Sequence, residues 1–108
     1  MRTLRFLVDN QTITPDPECD FEGLFPGAEE QLQAEFVFSP EWKNTIKVAA
    51  FWSIMDSELP PQVLEGDRCI IPVEASIKPV FKIQVLGKRS RVTLSTNKLK
   101  VYQKGGNQ

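Results

Sequence analysis

Apolar and polar residues alternate along most of this chain with a period of two, and almost nowhere with the longer period of a helix. Leu4, Phe6 and Val8 alternate with Arg5, Leu7 and Asp9, which predicts a first strand ended by Asp9-Asn10. Thr12-Ile13-Thr14 predicts a short return strand, stopped by Pro15-Asp16-Pro17. Residues 15–29 hold three prolines, two glycines and five acids, and read as a long loop pinned to the core by Phe21, Leu24 and Phe25. Leu32, Ala34, Phe36 and Phe38 make the next apolar face, opposite Gln33 and Glu35, and Ser39–Asn44 turns the chain.

Thr45–Ser53 is the strongest strand signal, with Ile46, Val48, Ala50 and Trp52 on one side and Ala49 and Phe51 on the other. That pattern predicts a strand covered on both faces. Leu59-Pro60-Pro61 reads as a stop, because proline cannot donate to a ladder. A hairpin is expected from Gln62–Leu64 and Arg68–Pro72 around Glu65-Gly66-Asp67. Val80–Leu86 follows, with Phe81, Ile83 and Val85 against Lys82 and Gln84, and Gly87-Lys88-Arg89 is expected to turn. Arg91–Ser95 and Leu99–Tyr102 complete the set, and residues 103–108 read as a flexible tail. Seven or eight short strands, spaced by turns, predict one all-β antiparallel sandwich domain over 1–108. Its expected core contains Phe6, Phe36, Phe38, Val48, Ala50, Ile83 and Val85.

Composition narrows the chemistry. The 108 residues are 41% hydrophobic and 25% charged, an ordinary globular balance for a single domain. The longest apolar stretch, Val48–Trp52, is too short to span a bilayer, and Asp9 ends the N-terminal run too soon for a signal peptide. No membrane partner is expected. There is no histidine, which removes the commonest general base and zinc ligand. Without it, Cys19 or Cys69 lacks the usual partner of a nucleophilic thiol, and no phosphate loop or G-x-S-x-G motif occurs. The two cysteines are read as reduced, partly buried thiols, with a single bridge as the alternative. The chain is therefore expected not to be an enzyme and to need no cofactor.

Asp16, Glu18, Asp20 and Glu22 alternate in the acidic loop as calcium ligands do. Counting from Asp16, however, the twelfth position is Gly27 where a bidentate glutamate belongs, so a solvated loop and no metal are expected.

Charge is divided unevenly along the chain. Met1–Glu74 carry 14 acids and 5 bases, a balance of −9, whereas Ala75–Gln108 carry 8 bases and no acid. Neutralisation between neighbouring strands is the first expectation; an open basic surface is the second. Nucleic acid is not an expected partner, because Phe81 is core-phased and only Tyr102 remains to stack on bases. Lys88, Arg89 and Arg91 flank the expected turn and are candidate partner-binding residues. Trp42, after Pro40, is a candidate anchor with core packing as its alternative, and for Trp52 core packing is the preferred reading.

Several segments in order resemble a small immunoglobulin-like domain of bacteriophage and prophage virion proteins from Gram-positive hosts. They are Leu4–Gln11, Ala34–Trp42, Lys47–Phe51, Cys69–Glu74 and Phe81–Gly87. In that family the domain often begins tail, baseplate or fibre proteins. The resemblance implies an immunoglobulin-like sandwich that joins virion components without catalysis. It also implies other phage virion proteins as partners, multiple copies or a homo-oligomer, and a chain made in the bacterial cytoplasm and carried in the virion. Tail, baseplate or capsid decoration would all fit. The chain ends where such proteins continue into a shaft or receptor-binding region, so the expected forms are a free-standing adaptor, a decoration protein or a domain redeployed to bind a host protein. The alternative is a small phage-encoded inhibitor of a host enzyme or defence protein.

Overall fold

Each period-two face becomes one side of a strand, and two sheets close over the side chains those faces supply. The structure, a computed structural model, describes residues 1–103. Strand β1 (Arg2–Asp9) turns at Asn10, whose φ of 56° suits asparagine, and returns antiparallel as β2 (Thr12–Pro15). The loop from Asp16 to Gln31 then carries the chain back to the start of β1. Consequently β3 (Leu32–Phe38) lies parallel to β1, with Arg2 opposite Leu32 and Val8 opposite Phe38. This pair departs from the expected antiparallel pattern, and the length of the loop is its cause. A 3-10 turn over Pro40–Trp42 leads into β4 (Ile46–Ser53), then β5 (Glu58–Val63) and β6 (Arg68–Ile70). A one-turn helix α1 (Val73–Ser76) precedes β7 (Val80–Arg89), β8 (Val92–Ser95) and β9 (Leu99–Tyr102).

The sheet orders are β2-β1-β3-β6 and β5-β4-β7-β8, with β9 beside β7. The protein is an all-β two-sheet sandwich, as its alternation predicts. Leu4, Phe6, Val8, Ala34 and Phe36 of the first sheet face Phe51, Phe81, Ile83 and Val85 of the second. An aromatic row runs through this core: the rings of Phe21, Phe6, Phe36, Phe38 and Trp42 follow one another at centroid separations of 5.3–5.8 Å. Burying each large side chain contributes about 1.5–3 kcal/mol, and well-set aromatic pairs add about 0.5–1.5.

Several sequence expectations are corrected. In β4 it is Ala49 and Phe51 that enter the core; Val48 is half-exposed, Ile46 is exposed, and Ala50, though buried, lies outside the core cluster. The neighbouring strand decides this: β7 has one clear apolar face, and the register sets Phe51 opposite Ile83 and Ala49 opposite Val85. Pro60 and Pro61 do not stop a strand but lie within β5, an edge strand with a bulge opposite Ala50, where missing donors are tolerated. The turn at Glu65–Arg68 forms, with Gly66 and Asp67 both at φ 59°, yet its arms belong to different sheets instead of one hairpin. Of the loop anchors, Leu24 is buried and Phe21 packs edge-on against Phe6, but Phe25 is exposed.

The C-terminal boundary also moves. Gln103 is buried, with its side-chain amide donating to Ser76 O at 2.7 Å and Lys78 O at 2.9 Å. It therefore belongs to the domain and not to a tail; the rest of the expected tail, 104–108, lies outside the described residues. No helix among the described residues is long and apolar enough to cross a membrane.

Candidate partner-binding surface

The four candidate residues do not form one site. Trp42 is fully buried beneath the end of β7, and its Nε1–H donates to Asn10 O at 2.6 Å. Core packing is therefore its place in this structure, and its ring is not open to a partner. Its indole also explains Gly87. A Cβ there would stand 2.8 Å from the ring, so glycine serves a close approach and not a turn. In consequence β7 runs on through Lys88 and Arg89, and the reversal falls at Ser90-Arg91, with Ser90 at φ 54°.

Lys88, Arg89 and Arg91 gather at this β7–β8 hairpin but have different surroundings. The Arg89 guanidinium donates to Lys43 O at 2.7 Å and so ties the hairpin to the 3-10 turn. Arg91 and Lys88 are exposed and make no ion pair among the described residues. Lys88 stands opposite Ile46 on the outer face of the five-stranded sheet.

That face is the surface the sequence did not point to. Ile46, Val48 and Leu86, with Lys88, Ser90 and Thr93, line a shallow depression of about 550 Å3. Ile46 is 71% exposed, and Val63 of the adjoining edge strand, opposite Val48, is 66% exposed. Farther along the same face Trp52 is half-buried instead of in the core. Its Nε1–H donates to Gln84 at 3.2 Å, and Lys98 Nζ sits 3.8 Å above the ring. Lys98 and Lys82 share Asp56, at 3.3 and 2.9 Å. Lys82 above all, and Lys98 after it, hold the Asp56 carboxyl below its ordinary value. The signal that could have located this face was the second apolar row of β4, Ile46 and Val48, which the core did not need.

The acidic loop and the cysteines are built differently. Asp16 pairs with Arg5 at 3.4 Å and accepts Glu18 N–H at 2.9 Å, while Asp20 accepts Glu22 N–H at 2.8 Å. Among the described residues no three or more His, Cys, Asp or Glu converge as a metal site. Both cysteines are unbridged. Burial pushes the Cys69 thiol up to about 12, so it offers no thiolate near neutrality. Cys19 Sγ accepts the Arg5 N–H at 3.3 Å.

No protein-family model matches the chain, and neither a curated protein nor a solved structure is significantly similar to it.

Proposed function

We propose that the chain is a non-catalytic structural or adaptor protein of a bacteriophage virion, acting through the outer face of its five-stranded sheet. The observation that carries this reading is the depression at Ile46, Val48 and Leu86, left open to solvent beside Lys88, whose ammonium has no ion pair among the described residues. Open apolar surface of this kind, edged by charge, marks contact sites on proteins. A complementary partner presents apolar side chains at the centre and carboxylates at the rim, the charges serving orientation and association rate more than affinity. The sequence resemblance supplies the virion context, and a small domain repeated in many copies suits a symmetric particle.

The test is quantitative mass spectrometry of purified particles from the phage that encodes the chain. We expect a copy number comparable to that of other structural proteins. Ile46→Asp should remain folded, since the position is exposed, yet fail to enter particles. A chain absent from particles would overturn the reading, and a stoichiometric complex with a host enzyme would then favour the inhibitor.

A further inference from the structure

Along one side of β7 run β8 and β9, which are a single edge strand interrupted by a bulge. Arg89 pairs with Val92 and Leu86 with Ser95, but Ile83 pairs with Leu99 and Val80 with Tyr102, so the register slips by one residue at Thr96–Lys98. At the bulge Asn97 turns its side chain to the other sheet, where Oδ1 accepts Ile13 N–H at 2.9 Å. Beyond this bridge a cleft lies between the two sheets. Pro15 has no N–H to offer, and Asp16 N–H turns back to Arg5 O at 3.0 Å. The cleft is about 300 Å3 in volume, with Leu99–Tyr102 as one wall and Phe6, Pro15, Phe21 and Glu22 as the other.

Along β9 the outer edge of the main chain has no main-chain partner among the described residues. Gln103 N–H donates to Pro79 O at 2.7 Å, and alternation along the ladder turns Leu99 and Val101 towards β7. The N–H and C=O groups of Lys100 and Tyr102 therefore point outward, and they have no main-chain partner among the described residues. We propose that the free edge of β9 and its cleft form a strand-addition site for an extended segment of another protein, apolar where it faces the cleft and acidic at the alternate positions.

The chemistry of the two faces sets that pattern. A residue turned inward meets the half-buried ring of Phe21, behind which the fully buried Phe6 closes the cleft. A residue turned outward lies beside Lys100, which stands directly opposite Lys82 across the ladder. Lys82 is held by Asp56 at 2.9 Å, whereas Lys100 has no ion pair among the described residues. A carboxylate on a third strand would complete the row. The same charges argue against a second copy: pairing β9 with β9 would set lysine beside lysine. Main-chain bonds would supply affinity and the alternating side chains specificity.

The probe is a fluorescein-labelled heptapeptide, Glu-Val-Glu-Phe-Glu-Val-Glu, followed by fluorescence anisotropy. Its control is the same peptide N-methylated at the two central glutamates, which keeps the side chains and removes donors. We expect binding of the first and a loss of about tenfold or more for the second. Tyr102→Pro should give a similar loss, because it withdraws an outward N–H while an edge strand tolerates proline; an unchanged melting temperature shows that the fold survives. Lys100→Glu should shift preference towards a peptide with lysines in place of glutamates. On binding, amide exchange at Lys100 and Tyr102 should slow. Equal binding of the N-methylated peptide, protection at another edge, or no anisotropy change at any soluble peptide concentration would overturn the proposal.

Discussion

On the outer face of the four-stranded sheet, Arg5 lies between Asp16 and Glu35, at 3.4 and 3.2 Å, and Glu35 also holds Arg68 at 2.9 Å. On the outer face of the five-stranded sheet, Ile46, Val48 and Leu86 stand beside a lysine without a counter-ion among the described residues. Both sheets give their inner faces to one core, so the sandwich itself does not require the outer faces to differ. The first face satisfies its own charges across three strands. The second leaves apolar area and cationic charge to be satisfied from outside. The division of charge along the chain follows the same line. Asp56 accepts Lys82 and Lys98, and the other ion pairs among the described residues lie within the acid-rich first part. Internal neutralisation, the first expectation from sequence, is therefore only partial.

The comparison breaks most readily at β4, the strand with an apolar row on each side. Phe51→Ala should cost about 3–5 kcal/mol, through lost transfer energy and the cavity left beside Ile83. Val48→Ala should cost far less, because its side chain is half in solvent. Urea denaturation of the two variants decides the matter; a larger loss at Val48 would mean that the strand faces the other way.

Gly87→Ala is the next largest effect. The added methyl meets the Trp42 ring at 2.8 and 2.9 Å, and overpacking of this kind costs about 1–3 kcal/mol. In a Trp42→Phe background the penalty should shrink, since the atoms it strikes belong to the six-membered ring of the indole. A double-mutant cycle reads this coupling directly, and strict additivity would show that Gly87 answers to something else.

Most of the sandwich was legible wherever one face of a strand is apolar and the other polar, as in β1, β3 and β7. Where both faces are apolar, alternation alone leaves two registers open, and in β4 the partner strand chose the one not expected. Gly87 read as a turn because glycine after an alternating strand, followed by polar residues, punctuates the chain; its cause, the ring of Trp42, is 45 positions away in sequence and visible only after folding. The candidate surface was half legible. The cations at 88, 89 and 91 do gather at one hairpin, but the apolar patch beside them depends on the β4 register, and the β9 cleft depends on where β2 ends.

A smaller effect comes from Asp56, a carboxylate that serves two lysines on the outer face. Its folded pKa lies below the ordinary 3.8, with Lys82 the main cause. The unfolded chain therefore takes up this proton first on acidification. The contribution is complete above the unfolded value and is lost as pH falls through the folded one. Asp56→Asn should melt below the wild type at neutral pH, and the gap should close from about pH 4 downwards. A gap that persists unchanged in acid would assign the loss to packing instead of charge.

The smallest expected effects lie at the hairpin, and there the difference between residues is the point. Lys88→Ala and Arg91→Ala remove exposed side chains with no ion pair among the described residues, so each should stay within about 0.5 kcal/mol of the wild type in denaturation. Arg89→Ala also removes the bond to Lys43 O and should cost about 0.5–1 kcal/mol, because an exposed hydrogen bond competes with water. For assembly the order should reverse. Lys88 borders the apolar depression, so its loss should slow association with an acid-rimmed partner and flatten the dependence of that rate on salt. Arg89, engaged by its own chain, should matter less to that rate. Stopped-flow association at low and physiological salt separates the two. Equal changes at Lys88 and Arg89 would mean that the hairpin acts as a general positive field and not as the rim of a defined contact.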